Sequence, residues 1–184
     1  MGRFSEESVL LIQNWETVQD ILQAEKRLRQ ELSTMLNALA QDLRQADWWE
    51  DGWRFVQPSE AQIYISHQAW QADGESVVWI GIEDFAPNQV FGLEIPPNLY
   101  VWVSGRRNDL AQALIEELER EGGYLGELDY RASGYVVRQA LQKCLPEEIQ
   151  SYETGVREQT VAFFEFYARN LRQYDDLIAA FIEK

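Results

Sequence analysis

The chain has 184 residues, of which 46% are hydrophobic and 26% are charged. This composition predicts one folded domain with a sizeable core and argues against disorder. The formal net charge is −15, from 31 acidic and 16 basic residues. Direct binding to nucleic acid or to an anionic membrane is disfavoured, because both depend on Lys and Arg. A basic partner is favoured instead.

Cysteine usage and hydropathy bear on location. Cys144 is the only cysteine, so an internal disulfide is excluded and a reducing cytoplasm is the expected compartment. Near the N-terminus, the apolar run VLLI is too short for a signal peptide. No stretch approaches the roughly 20 apolar residues that a membrane-spanning helix needs. We therefore expect no membrane association.

Residues 1–46 predict one long helix. Ser5 is an N-cap candidate followed by acidic residues, which the helix dipole favours. Apolar residues then recur at helical spacing, at Leu11, Trp15, Val18, Leu22, Leu28, Leu32, Met35, Leu39 and Leu43. We expect a bend near Asn14. The stripe predicts packing on another helix of the same molecule, with a coiled-coil dimer as the alternative.

Residues 53–104 read as a series of short strands. The apolar runs are WRFVQ, AQIYISHQAW, SVVWIGIEDF, QVFGLEI and LYVWVSG, and turn signals containing Pro, Gly, Asn or Asp separate them. Connections this short make neighbouring strands antiparallel. The pattern therefore predicts an antiparallel β-meander.

The remaining chain predicts three more elements. Residues 107–121 form a short helix that Gly122 and Gly123 end, and residues 124–141 form a strand pair. Residues 146–183 carry apolar positions at steps of three and four and predict a long helix that starts at Pro146. The predicted fold class is α+β, a single domain with an antiparallel β-meander flanked by long N- and C-terminal helices and one short helix.

The acidic residues are concentrated in the predicted meander. Residues 47–96 contain nine acidic residues and one basic residue, Arg54, and so account for −8 of the net charge. A general solubility trait would spread the acidic residues more evenly. The concentration favours an acidic functional surface in this region.

Strand alternation divides the meander into two faces. The aliphatic set predicts the core face and consists of Ile63, Ile65, Val78, Ile80, Ile82, Leu93, Ile95, Val101 and Val103. The opposite set combines rings, glycines and carboxylates and consists of Tyr64, Ser66, Trp79, Gly81, Glu83, Gly92, Glu94, Tyr100 and Trp102. Either a long helix covers this second face, or the face binds a partner. The candidate binding residues are Tyr64, Trp79, Glu83, Asp84, Glu94, Tyr100 and Trp102.

Few residue patterns suggest catalysis. His67 is the only histidine, and nothing in the sequence brings Cys144 near it, so a structural role is expected for His67. Metal sites built from Cys and His are excluded by number. The adjacent Glu83 and Asp84 could hold Mg²⁺ or act as a general base, although acidic residues at a strand end are usually solvated. No phosphate-binding motif occurs, and no cofactor is expected.

Two strand motifs, VWIGIEDF and VFGLEI, follow the aromatic run WRF and IYI. Together with the preceding helix they resemble the C-terminal accessory region of uncharacterised PD-(D/E)XK nuclease-like proteins of prokaryotes and phages, over roughly Leu28 to Ile95. The nuclease core of that superfamily needs an Asp followed by Glu-x-Lys on adjacent strands. Lys26, Lys143 and Lys184 are the only lysines and none completes that motif. The resemblance therefore implies the non-catalytic part alone.

Three functional hypotheses follow. The first is a non-enzymatic protein-interaction module that binds a basic protein surface, for example a phage or prophage inhibitor that presents carboxylates in place of phosphates. The second is a small enzyme with a carboxylate or metal site at the meander edge, around Glu83 and Asp84. The third is a structural or assembly subunit that pairs through its long helices. A monomer or a homodimer is compatible with these readings.

Overall fold

Helices begin and end the chain, and a six-stranded antiparallel sheet lies between them in the computed structural model. The structure describes residues 4–92, 95–104, 107–131 and 133–183. This arrangement confirms the predicted α+β class. None of the helices in those ranges combines the length and the apolar composition that crossing a membrane would require.

The N-terminal helical region is interrupted at Asn14, where the sequence predicts a bend. Helix α1 spans Glu6–Gln13 and helix α2 spans Trp15–Gln45. The Ser5 side chain accepts a hydrogen bond from the backbone N–H of Ser8 at 3.2 Å and so caps α1. The buried residues of this region all lie in the second half of α2, at Leu32, Leu36, Leu39, Ala40 and Leu43. The helical region is therefore anchored to the body of the protein only from Leu32 onward.

The sheet is a meander with an added strand pair. Its strands, in chain order, are β1 (Trp53–Ser59), β2 (Gln62–His67), β5 (Val78–Glu83), β6 (Asn98–Val103), β7 (Glu127–Leu128) and β8 (Tyr135–Ala140). They lie in the order β1-β2-β5-β6-β8-β7, with every pairing antiparallel. The predicted strand pair at residues 124–141 thus extends the same sheet beyond β6.

A small hairpin interrupts the meander between β2 and β5. Strands β3 (Gln71–Ala72) and β4 (Glu75–Ser76) pair with each other and form a separate two-stranded sheet. Asp73 and Gly74 connect them with φ angles of 53° and 81°. An Asp-Gly pair suits this turn because both central residues need a positive φ.

The prediction of a strand at QVFGLEI is wrong for those of its residues that the structure describes. Helix α3 spans Pro87–Val90, and a turn follows. Pro87 favours the helix because its ring fixes φ near the helical value at the first position. Gly92 therefore does not belong to a sheet face, and Ile95 is 75% exposed instead of lying in the core. Leu93 and Glu94, which were assigned to the two faces, lie outside the described residues.

The core lies between the helices and the aliphatic face of the sheet. Helices α2, α4 (Asn108–Glu121) and α5 (Ile149–Asn170) contribute residues to one hydrophobic cluster. The strand residues in that cluster include the predicted aliphatic set within β2, β5 and β6, namely Ile63, Ile65, Val78, Ile80, Ile82, Val101 and Val103. Helix α5 contacts β5 and β6, and α4 contacts β6 and β8. These contacts define which face of the sheet the helices cover.

The C-terminal helical region is divided, although the sequence predicts one helix. A short 3₁₀ turn at Leu171–Tyr174 separates α5 from α6 (Asp175–Ile182). The predicted stripe is nevertheless buried at Tyr152, Val156, Thr160, Phe163, Tyr167, Leu171, Tyr174 and Ile178. Ile149, the first residue of that stripe, is 59% exposed.

Candidate functional site

The sheet face opposite the helices presents a row of aromatic side chains. We call this surface the aromatic face and define it by Tyr64, Trp79, Glu83, Tyr100 and Trp102. The hydrophobic cluster that joins the helices to the sheet contains none of these residues. Tyr64, Trp79 and Trp102 are all partly exposed. The face is therefore accessible where these three rings lie.

Three of the rings form a contiguous aromatic row across the central strands. Trp79 and Trp102 are directly opposite each other in the register of β5 and β6, with ring centroids 4.6 Å apart. The Tyr64 ring contacts Trp79 edge-on, at a centroid distance of 6.2 Å. Pairs at these distances restrict each other's rotamers. The row is consequently a preorganised apolar contact surface.

Tyr100 has a different role from the one predicted for it. It is only 8% exposed and lies opposite Gly81 in the register. A Cβ atom on Gly81 would come within 2.5 Å of the Tyr100 ring, so the ring packs directly on the bare backbone of the glycine. Tyr135 contacts the same ring edge-on, at 5.7 Å. Tyr100 thus fills the face and is not free to contact a partner.

Glu83 is held by two residues that the sequence analysis did not identify. The Tyr135 hydroxyl donates to both carboxylate oxygens, at 3.0 and 2.9 Å, and an Arg138 Nη2 atom lies 3.4 Å from Oε1. The Arg138 guanidinium also stacks on the Tyr135 ring, 4.6 Å from its centroid. Both residues belong to the run YVVR of the sequence, but only the pairing of β8 with β6 brings them within reach of Glu83 on β5.

The environment of Glu83 alters its proton affinity. Burial raises the pKa of Glu83 above its ordinary value, and the hydrogen bond from Tyr135 partly opposes this effect. Burial and the neighbouring Glu83 carboxylate raise the pKa of Tyr135 to about 12. Tyr135 therefore remains a hydroxyl donor at neutral pH, and Glu83 is already bonded within the protein.

The second carboxylate of the predicted pair lies at the end of β5. Asp84 is exposed and has a φ angle of 60°, in the left-handed region. Glu94, the other predicted acidic residue, lies outside the described residues. Among the residues that the structure describes, no group of three or more His, Cys, Asp or Glu side chains is arranged to hold a metal ion. The geometry around Glu83 and Asp84 thus provides no convergent set of carboxylate ligands.

The acidic residues of the meander border the aromatic face instead of covering it. Glu83 is the only acidic residue in β2, β5, β6 and β8, all of whose residues the structure describes. Exposed Glu60 lies in the β1–β2 turn, beside the end of β5, because the Phe85 N–H bonds the neighbouring Ala61 carbonyl at 3.0 Å. Arg54 on β1 is also exposed and shares the face by alternation. Within the central strands this face is therefore mainly aromatic, with Glu83 as its one carboxylate.

His67 lies on the opposite side of the sheet, in a polar cluster that links β2 to the C-terminal helices. It is 4% exposed, and its Nδ1 accepts a hydrogen bond from the Ala69 N–H at 3.2 Å. Its Nε2 contacts Arg172, which also forms ion pairs with Glu50 at 2.9 Å and with Asp175 at 2.8 Å. Both ring nitrogens of His67 therefore make contacts within the protein.

Comparison with known proteins identifies no relative of this chain. Neither the models of protein families, nor the curated proteins, nor the solved structures contain a match to the chain.

Proposed function

We propose that the chain is a non-enzymatic protein-interaction module that uses the aromatic row, Tyr64, Trp79 and Trp102, to bind a basic protein surface. The observation that carries this proposal is the exposure of the row on a sheet face that the helical core leaves uncovered. Tryptophan and tyrosine contribute disproportionately to binding energy at protein interfaces. A rigid row also loses little side-chain entropy when it binds.

Electrostatics favour a basic partner. The faces of aromatic rings attract Arg and Lys side chains, and tryptophan does so most strongly. The net charge of −15 would steer a basic protein towards this molecule over long range. Exposed Glu60 and Asp84 lie at the end of the strands that carry the row and can pair with basic residues at the rim of the interface.

A narrower form of the proposal is a phage or prophage inhibitor that imitates nucleic acid. Such mimicry needs many carboxylates on one surface, whereas Glu83 alone lies in the central strands and is bonded by Tyr135 and Arg138. The broader interaction function is therefore the one we propose. A cytoplasmic location belongs to this proposal, since the single Cys144 suits a reducing compartment.

The test is affinity capture from a native host lysate, at low and at high salt, with the wild type and three variants. The variants are Trp79→Ala, Trp102→Ala and Glu83→Lys. A partner bound through the row should be basic, should be lost at high salt, and should bind each tryptophan variant at least roughly 30-fold more weakly, as for interface hot spots. Binding constants are then measured with the purified partner.

The matched control is Tyr130→Ala, which removes a ring that is 56% exposed outside the central strands. This variant should bind like the wild type. Capture that is indifferent to salt and equal for Trp79→Ala, Trp102→Ala and the control would overturn the proposal.

A further inference from the structure

Residues 4–31 form a helical projection that we call the N-terminal arm. None of these residues is buried. Exposed apolar side chains are concentrated there, and those that are more than 40% exposed are Phe4, Val9, Leu10, Leu11, Ile12, Trp15, Ile21 and Leu22. At about 1.5 Å per residue the arm is roughly 40 Å long. An apolar surface of this extent on a projecting helix indicates an interaction site.

We propose that the arm pairs, in antiparallel orientation, with the N-terminal arm of a second copy of this chain. This surface is separate from the aromatic face, and the inference goes beyond the function proposed above. Leu11 and Val18 are seven residues apart, and so are Ile21 and Leu28, which is the spacing of apolar residues in a two-stranded helical pair, while Asn14 and Glu25 are polar positions of the same pattern.

The charge distribution selects the antiparallel orientation. Residues 4–22 contain four acidic residues and no basic residue, whereas residues 23–31 contain three basic and two acidic residues. Parallel pairing would place two acidic segments side by side, which is unfavourable. Antiparallel pairing brings Lys26, Arg27 and Arg29 of one copy alongside the acidic segment of the other.

The base of the arm provides a place for the tip of the second arm. A groove of about 550 Å³ lies there, between α2 and the start of α5, and apolar side chains line much of it. Phe91 and Ile149 in this groove are 38% and 59% exposed. An antiparallel register that places Leu11 opposite the second copy's Leu28 brings the apolar tip to this groove. The arm is therefore long enough for its tip to reach the groove of the second copy.

The first experiment is sedimentation velocity over a concentration series of the full chain, with Leu11→Asp and Val18→Asp as variants. We expect a concentration-dependent dimer whose dissociation constant rises by roughly tenfold or more in either variant. Because arm residues are not buried, the variants should keep the wild-type circular dichroism spectrum and melting temperature when all the proteins are measured dilute enough to be monomeric. The matched control, Ile95→Asp, alters a side chain that is 75% exposed elsewhere and should leave the dimer intact.

The second experiment tests orientation by disulfide trapping in a Cys144→Ala background. Oxidation of mixed Leu11→Cys and Leu28→Cys proteins should give a crosslinked heterodimer, while Leu11→Cys alone should give little crosslink. Efficient crosslinking of Leu11→Cys alone would show parallel pairing and overturn the orientation. A wild-type monomer at concentrations on the order of 100 µM would overturn the dimer itself.

Discussion

The hydroxyl of Tyr135 donates a hydrogen bond to the carboxylate of Glu83 across the intervening strand β6. The bond therefore joins β5 to β8, which do not pair directly. Tyr100 lies on β6 between them and packs against the Tyr135 ring. The Glu83 carboxyl group is thus held on the aromatic face by Tyr135, which also packs against the Tyr100 ring of that face.

Glu83 makes the stability of the fold sensitive to pH. Because burial raises its pKa, ionising Glu83 costs more in the folded than in the unfolded state. The contribution of Glu83 to stability is therefore fully present below its ordinary pKa and is lost as pH rises through the raised value. Glu83→Gln should gain stability relative to the wild type as pH rises from about 4 to about 7. Urea denaturation across this range measures the difference.

The control for this prediction is Asp84→Asn, which neutralises the exposed neighbouring carboxylate. Removing Asp84 leaves the Glu83 carboxyl in its buried position, so most of the pH dependence should persist. A difference between Glu83→Gln and the wild type that stays constant with pH would contradict the interpretation.

The contact between Gly81 and Tyr100 should show strong energetic coupling. Gly81→Ala would place a methyl group against the Tyr100 ring, which is confined by Tyr135, and should destabilise the protein by about 1–3 kcal/mol. Tyr100→Val removes the obstructing ring, so the double variant should be more stable than the two separate costs predict. A thermal or urea denaturation cycle over the four proteins gives the coupling energy. Purely additive costs would show that the ring moves aside freely.

Local patterns were sufficient to predict the fold class and the separation of the two sheet faces. Period-two alternation in IYIS, VWIGIE and LYVWV places aliphatic residues in the core and rings opposite, as the structure shows. The helix interruption at Asn14 was also expected from the sequence. These features depend on near neighbours in the chain, where backbone geometry alone relates one side chain to the next.

Other features depend on partners that are distant in sequence. The motif QVFGLEI has the apolar content of a strand, but Pro87 begins a helix there. The bonds from Tyr135 and Arg138 to Glu83 span more than 50 residues, and no local pattern specifies them. The burial of Tyr100 has a similar cause, since it depends on Gly81 lying opposite in the register. Pairing between distant strands, which periodicity cannot specify, therefore determines the hydrogen bonds of Glu83 and the burial of Tyr100.

Tyr167 fixes the loop around Leu125, which precedes β7 and lies in the range that the sequence assigned to a strand pair. Its hydroxyl donates to the Leu125 carbonyl at 2.7 Å and accepts from the Leu125 N–H at 2.9 Å, while the ring is fully buried. Tyr167→Phe removes both bonds without changing the packing of the ring. We expect a loss of about 1–3 kcal/mol in the free energy of unfolding, because the backbone groups lose their partner. Hydrogen exchange at the Leu125 amide should accelerate, and unchanged exchange there would contradict this role.

His67 should give the protein a second pH dependence, opposite in sign to that of Glu83. Burial, followed by the adjacent Arg172 guanidinium, lowers the pKa of His67, although Glu50 and Asp175 act in the other direction. The unfolded state therefore binds a proton before the folded state does as pH falls. The stability that neutral His67 confers is present above a pH of about 6.5 and is lost below it.

The variant His67→Gln tests this relationship. The stability advantage of the wild type over the variant should shrink as pH falls from about 7.5 to about 5, where the wild type must protonate a buried imidazole or keep it neutral at a cost. Arg172→Met retains the imidazole but removes the neighbouring positive charge, leaving Glu50 and Asp175 to stabilise its protonated form. That variant should therefore show a reduced pH slope, while an unchanged slope in both variants would show that His67 does not sense the cluster.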